Sequence, residues 1–180
     1  MLKSKRVVLR TLRESDLEKL LKWFNDPEVI QYLHMYLPMT EKAEAKWLED
    51  IGTSRRDTDI VFMMEALDGN DKIPIGTIGL HKISWKDRDA EFGIAIGEKK
   101  YWGNGYGTEA ANLVIEYAFI QLNIHRVSSV AYSFNERSLK MHLKLGFVQE
   151  GVARESAYKN GAYHGKVMFG LLKSEWMKTK

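Results

Sequence analysis

At 180 residues, with 44% hydrophobic and 28% charged side chains, the chain is long enough for one domain with a proper core and has the composition of a globular protein. A net charge of +3 without a run of lysine or arginine suits an anionic ligand and argues against a nucleic-acid partner. The absence of cysteine excludes disulfides, cysteine-based zinc sites and a cysteine nucleophile. The N-terminal segment lacks the apolar stretch of a signal peptide, and no apolar run reaches the roughly 18–20 residues of a membrane span, so a cytoplasmic protein with no membrane partner is expected.

Val7-Val8-Leu9-Arg10 reads as the first strand. Leu17, Leu20, Leu21 and Phe24 then recur at helical spacing, with Ser15 as the expected N-cap. Asp26-Pro27 suits the cap and first turn of a short helix, and Thr40 caps a third helix carrying Trp47, Leu48 and Ile51. The aromatics of this front half, Trp23, Phe24, Tyr32, Tyr36 and Trp47, are either core or the wall of a substrate pocket. Ile60–Leu67, Ile73–Ile83 and Ala90–Ile96 form an antiparallel meander, with Gly76, Gly79 and Gly93 as points of close approach. A long amphipathic helix runs from Thr108, a strand covers Val127–Ala131, and Asn135 caps a helix that Gly146 ends. Asn160-Gly161 marks a hairpin whose return strand is Lys166–Leu172, and Glu175–Met177 forms a terminal turn. The whole reads as one α/β domain over residues 1–180, a mixed and mostly antiparallel sheet of about seven strands flanked by helices.

Between the third meander strand and the long helix lie Gly103, Gly105 and Gly107. Glycine lets a backbone turn tightly and lets a ligand approach its N–H groups. The first N–H groups of the helix that follows have no intrahelical partner, so the turn is a cradle for a phosphate or pyrophosphate. It is not a P-loop, because Thr108-Glu109 stands where lysine and serine or threonine are required. Its Gly-x-Gly-x-Gly spacing after a meander also departs from the dinucleotide fingerprint of a parallel βαβ unit.

The stretch Tyr101-Trp102-Gly103-Asn104-Gly105-Tyr106-Gly107-Thr108-Glu109-Ala110, followed by Asn135-Glu136-Arg137-Ser138 and Gly146-Phe147, resembles the GNAT superfamily of acyl-CoA N-acyltransferases. Val7–Arg10 and Asn160-Gly161-Ala162-Tyr163-His164 resemble its RimJ/RimL-like branch more narrowly. The resemblance spans nearly the whole chain and implies a GNAT-like domain using acetyl-CoA, without a metal. It places the pyrophosphate on Trp102, Gly103, Asn104, Gly105, Tyr106, Gly107 and Thr108. It places the pantetheine arm along Ile94, Ala95 and Ile96, against Asn135, Ser138 and His142. Where the superfamily loop usually opens with Gln or Arg this chain has Trp102, so backbone carries the phosphates, with Lys99, Lys100 or Lys144 as alternative sources of charge.

Acetyl transfer needs a polarised thioester carbonyl, a neutral amine and a proton for the thiolate. Ser138 and His142, one helical turn apart, are the candidates for the thiolate. Glu91, on the strand leading into the coenzyme site, is the candidate that accepts an amine proton or holds a cationic acceptor. The expected activity is direct transfer to a primary amine, foremost a protein N-terminal amine. The alternatives are a small amine (polyamine, aminoglycoside or amino sugar) and an acyl-CoA-binding regulatory module without turnover. Dimers are common in the resembling branch.

Overall fold

Among the described residues the β-branched and alternating runs pair into one sheet of eight strands: β1 (Leu2–Lys3), β2 (Val7–Thr11), β3 (Ile60–Asp68), β4 (Asp71–Ser84), β5 (Asp89–Ile96), β6 (Arg126–Tyr132), β7 (Val148–Lys159) and β8 (Ala162–Leu172). The computed structural model describes residues 1–179, and Lys180, the end of the expected domain, lies outside the described residues. Strand order is β1-β2-β3-β4-β5-β6-β8-β7, and only the β5/β6 pair is parallel. The strand beyond the expected seven is the two-residue β1, which pairs Leu2 with Leu9 ahead of the first apolar run. β8 starts at Ala162 rather than Lys166. Asn160 and Gly161 both hold positive φ, 52° and 80°, so the tight turn carries the ladder to its tip.

Among the described residues six α-helices flank the sheet: α1 (Leu17–Phe24), α2 (Pro27–Ile30), α3 (Glu41–Gly52), α4 (Tyr106–Glu116), α5 (Glu136–Lys144) and α6 (Lys173–Trp176). Asp26 accepts the Glu28 N–H at 2.9 Å and Thr40 accepts that of Ala43 at 3.2 Å, as their positions predicted. Ser15 is not the cap of α1; it lies within a 3-10 turn, Glu14–Asp16. Asp16 takes over the entry to the helix because its carboxylate accepts the Arg13 N–H at 2.8 Å and two donors of Arg10 at 2.7 and 2.8 Å. Arg10 also donates to Glu65 at 2.6 Å, so a buried charge network ties α1 to β2 and β3.

The two faces of the sheet are covered differently. Val114, Ile115 and Phe119, from α4 and the π-helical turn Tyr117–Gln121 that continues it, pack with Ile78, Leu80, Phe92 and Phe169. On the opposite face Leu20, Trp23 and Phe24 of α1 pack on Met63, with Trp47 and Leu48 of α3 against them. Gly76 and Gly79 are close-approach points as expected: a Cβ on either would stand 2.1 or 2.3 Å from a carbonyl oxygen of the neighbouring strand. The end of β5 meets α1 in the same way, since a Cβ on Gly97 would enter the Trp23 ring, whose indole N–H donates to Glu98 at 3.0 Å.

One consequence of this topology positions the site. The parallel pairing of β5 with β6 covers only Asp89–Glu91 against Arg126–Ser128. Beyond Glu91, β5 stays paired with β4 as far as Ile96, while β6 stays with β8. The sheet therefore forks between Phe92–Ile96 and Ser129–Tyr132.

Candidate active site

Backbone groups along a strand alternate in direction. The Phe92 carbonyl faces Ser129 Oγ of β6 at 3.1 Å, and the Ile96 carbonyl accepts from the Trp102 indole at 2.7 Å. Ile94, of the same parity, turns its N–H and C=O into the open fork. A cavity of about 760 Å³ fills this fork and continues to the front helices. Ile94, Ala95 and Ile96 line it, as do Asn135 and Ser138 from the start of α5. The cavity runs from the glycine loop at one end to Phe24, Tyr32 and Trp47 at the other. Of the front-half aromatics, Trp23 is core, those three form wall, and Tyr36 is neither, being 80% exposed.

The glycine loop turns as its composition demands. Gly103 and Gly105 hold φ of +74° and +84°, in the left-handed region, and Gly105 is the N-cap of α4. Gly107 lies against the Ile94 and Ile96 side chains, where a Cβ would stand 3.5 and 3.3 Å away. Gly103, Gly105, Gly107 and Thr108 line the cavity; Asn104 and Tyr106 are not among its lining residues. The Asn104 amide bonds back to the Lys100 carbonyl at 3.1 Å, and the Tyr106 ring packs between Tyr101 and the Arg6 guanidinium. The side chains of these two thus shape the loop from behind the cavity.

Trp102 faces the cavity but reaches towards β5, closing the loop onto the Ile96 carbonyl. Arg137 stacks over its indole at 4.8 Å and over Tyr32 at 5.7 Å. Lys99 supplies no charge to the loop, because its ammonium pairs with Asp26 at 2.9 Å and Glu28 at 3.0 Å. Lys144 and Arg137 are cations on the cavity wall. Sequence spacing does not single out Arg137, because stacking on a distant tryptophan leaves no local signature. The same holds for Arg6, which donates to the Asn104 carbonyl at 3.1 Å and to Glu109 at 2.8 Å. Burial would raise the Glu109 carboxyl, yet donors from Ser4 and Arg6 hold it below the usual range.

Asn135 caps α5, its side chain accepting the Ser138 N–H at 3.2 Å. Ser138 lines the cavity with its hydroxyl 3.4 Å from His142 Nδ1. His142 itself is 2% exposed and stacks flat on Phe169 at 4.6 Å. Its Nδ1 lies 2.7 Å from the Ser138 carbonyl, which only accepts, so Nδ1 carries the proton. Its Nε2 lies 2.8 Å from the Ser129 hydroxyl. Burial pushes the imidazole's pKa down, so the ring is neutral near pH 7. With both nitrogens engaged, His142 has none to offer a thiolate, and the expectation of a proton-donating His142 is corrected. A histidine one turn after a serine looks the same in sequence whether it faces a ligand or anchors its helix.

Glu91 lines the cavity, where its carboxylate pairs with Lys82 at 2.8 Å. It is the single carboxylate among the described lining residues. His34 and His81 stand on the same wall. Among the described residues no group of three His, Asp or Glu side chains gathers as a metal site, and no helix is long and apolar enough to cross a membrane.

A forked sheet, a strand edge with free backbone groups and a glycine turn at a helix N-terminus together define a site for an extended ligand with an anionic end. The acetyltransferase (GNAT) domain family matches residues 6–148, and the chain belongs to that family. It is an N-acetyltransferase with acetyl-CoA as acyl donor. It is 30% identical over 184 residues to the uncharacterised N-acetyltransferase YoaA of Bacillus subtilis (strain 168), covering 96% of each chain. It is 41% identical over 101 residues to YdaF of the same organism, provisionally named a ribosomal N-acetyltransferase, covering 56% of this chain and 55% of that one. The fold superposes on spermidine N-acetyltransferase from Vibrio cholerae, solved in complex with CoA and spermine, with a TM-score of 0.88 at 23% identity, covering 97% of this chain and 99% of that one.

Proposed function

We propose that the chain acetylates a primary amine of the protein N-terminal kind, directly from acetyl-CoA held in the fork. The observation that carries the acceptor class is the wall itself. It is aromatic and apolar, with Glu91 as its single carboxylate among the described residues and a lysine already on it. That suits one ammonium group on a larger acceptor. A polyamine with several cationic centres asks for several carboxylates, since unpaired charges in a partly dry cavity are costly. The partial likeness to YdaF supports the same reading.

In this reading the open edge of Ile94 and Ile96 takes the pantetheine amides, beside Ala95, and the N–H groups from Gly103 to Thr108 take the pyrophosphate. Asn135 and Ser138 close over the arm from α5, and the Ser138 hydroxyl is the group placed to meet the departing sulfur. Acetyl-CoA supplies the activated carbonyl, and a free N–H of the fork stabilises charge growing on its oxygen. Glu91 holds the acceptor's cationic end. Most of the acceleration comes from holding amine and thioester in line. A cytoplasmic site of action and a homodimer belong to the same reading.

The test pairs binding with turnover. Coenzyme A at a hundred times its Kd raises the melting temperature, equivalent to about 2.7 kcal/mol. Release of free thiol from acetyl-CoA is fastest with N-terminal peptides, against polyamines, aminoglycosides and amino sugars. Turnover confined to polyamines would reassign the acceptor, and binding without turnover on any amine would leave a regulatory module.

A further inference from the structure

Asp59 and His81 form a pair that coenzyme binding does not use. Asp59 closes the turn between α3 and β3 and is 5% exposed. Its carboxylate receives Arg55 at 2.8 Å, the Thr58 hydroxyl at 2.9 Å and His81 Nδ1 at 2.8 Å. Burial alone would raise its pKa, but these donors hold it below the usual carboxylate range. An ionised carboxylate only accepts, so His81 Nδ1 carries the proton, and in the neutral ring the lone pair is on Nε2.

Nε2 has no hydrogen-bond partner among the described residues, and His81 is a wall residue of the acceptor cavity. The backbone makes room for this ring in two ways. Gly93, diagonal to it on β5, has no side chain; a Cβ there would stand 3.3 Å from both Cδ2 and Nε2. β4 also slips register between His81 and Ser84, with Lys82 at φ +50°, a left-handed conformation that lysine seldom adopts. Such bulges re-aim side chains, and strain of this sort gathers at functional sites. The other charged and titratable groups facing the imidazole are few. Arg55 is already on Asp59, Glu91 sits cross-strand with Lys82 on it, and His34 stands on the same wall without a carboxylate partner.

We propose that His81 Nε2 takes the proton from the acceptor's ammonium group, with Asp59 as the positioning residue that fixes the imidazole tautomer. This rests on the acetyl-CoA reading of the fork. Nε2 accepts one proton from the ammonium, and the freed lone pair forms the N–C bond to the acetyl carbonyl. The C–S bond breaks, the sulfur leaves with its electron pair and receives the amine's second proton, and the imidazolium returns the first proton to solvent. One ammonium and one thioester become one amide, one thiol and one proton. Glu91 keeps the separate task of holding the cation before it is neutralised.

His81→Asn retains a donor towards Asp59 and removes the titratable nitrogen. Its kcat is expected to fall about 10²–10⁴-fold, the usual span for a general base, while coenzyme A raises its melting temperature as in the parent. Free imidazole restores turnover to His81→Ala, which a merely structural histidine would not allow. In Asp59→Asn the acid limb of the pH–rate profile moves to lower pH, because the imidazolium loses its carboxylate, and nitrogen NMR of His81 shows mixed tautomers in place of one. A His81→Asn enzyme within threefold of the parent kcat, or the absence of imidazole rescue, overturns the proposal. A parent protein whose melting temperature coenzyme A leaves unmoved overturns the coenzyme reading first, and this inference with it.

Discussion

Glu44 shows how much one side chain can set. It lies on α3 on the same helix face as Trp47, Leu48 and Ile51, is 1% exposed, and its Oε1 has no hydrogen-bond partner among the described residues. Burial pushes its carboxyl up to about 7. The folded protein therefore keeps a proton that the unfolded chain loses near its ordinary value of 4.5. Stability from this group is full below pH 4.5, falls as pH rises towards 7, and is flat above. Glu44→Gln removes that loss, so the variant should be more stable than the parent at pH 8, by roughly 3 kcal/mol, and equal to it at pH 4. Urea denaturation at the two pH values measures both differences, and equal stability at pH 8 would mean that the carboxyl has a partner.

His142 teaches the converse. Its burial uses both nitrogens, one on the Ser138 carbonyl of α5 and one on Ser129 of β6, so neither is left for a ligand. Residue type and spacing were enough to find both histidine and serine, but only packing separates an anchor from an acid.

At the scale of elements, the caps and turns were legible because their chemistry is local. Asp26, Thr40, Asn135 and Gly146 each act within a few residues of their own position. Ser15 failed as a cap because Arg10, on β2, recruits Asp16 instead, and a partner from another element is invisible to spacing. The glycine loop was legible for the same reason as the caps: Gly105 holds φ +84°, a value that β-branched residues resist. Gly105→Val strains the turn and crowds Arg6, whose Nη2 would stand 3.3 Å from the new Cβ. Its coenzyme A affinity, read by calorimetry, should fall at least about tenfold with the circular dichroism spectrum unchanged, in line with a backbone cost of about 1–3 kcal/mol. Unchanged affinity would remove the loop from the binding site. The His81 and Asp59 pair escaped sequence reading because a strand bulge and a turn bring it together across the β3–β4 hairpin, with nothing in either segment that marks the other.

For the whole molecule, the fork does the organising. Strands β5 and β6 part after Glu91, and the cavity opens in the gap. Helices α4 and α5 approach the fork from one face and α1 and α3 from the other, and the cavity lies between them. Gly97 and Trp23 lock the front helices to the end of that strand. The aromatic richness of the first half was legible as composition, but its division into core, wall and the exposed Tyr36 depended on the packing of α1 and α3.

The indole of Trp102 rests on the Ile96 carbonyl, an acceptor on the edge along which the coenzyme arm is read to lie. Arrival of that arm then competes with an internal donor, and capture becomes a two-step event. A first-order release precedes the bimolecular step, so the observed association rate should climb with coenzyme concentration and then level off at the rate of indole departure. Trp102→Phe lacks the donor, and its rate should keep rising in proportion to concentration. Stopped-flow measurements with a fluorescent coenzyme A analogue distinguish the two, and a linear dependence in the parent would mean that the indole stays in place while the ligand enters. The residue standing where a cation was expected would thus set the tempo of binding more than its strength.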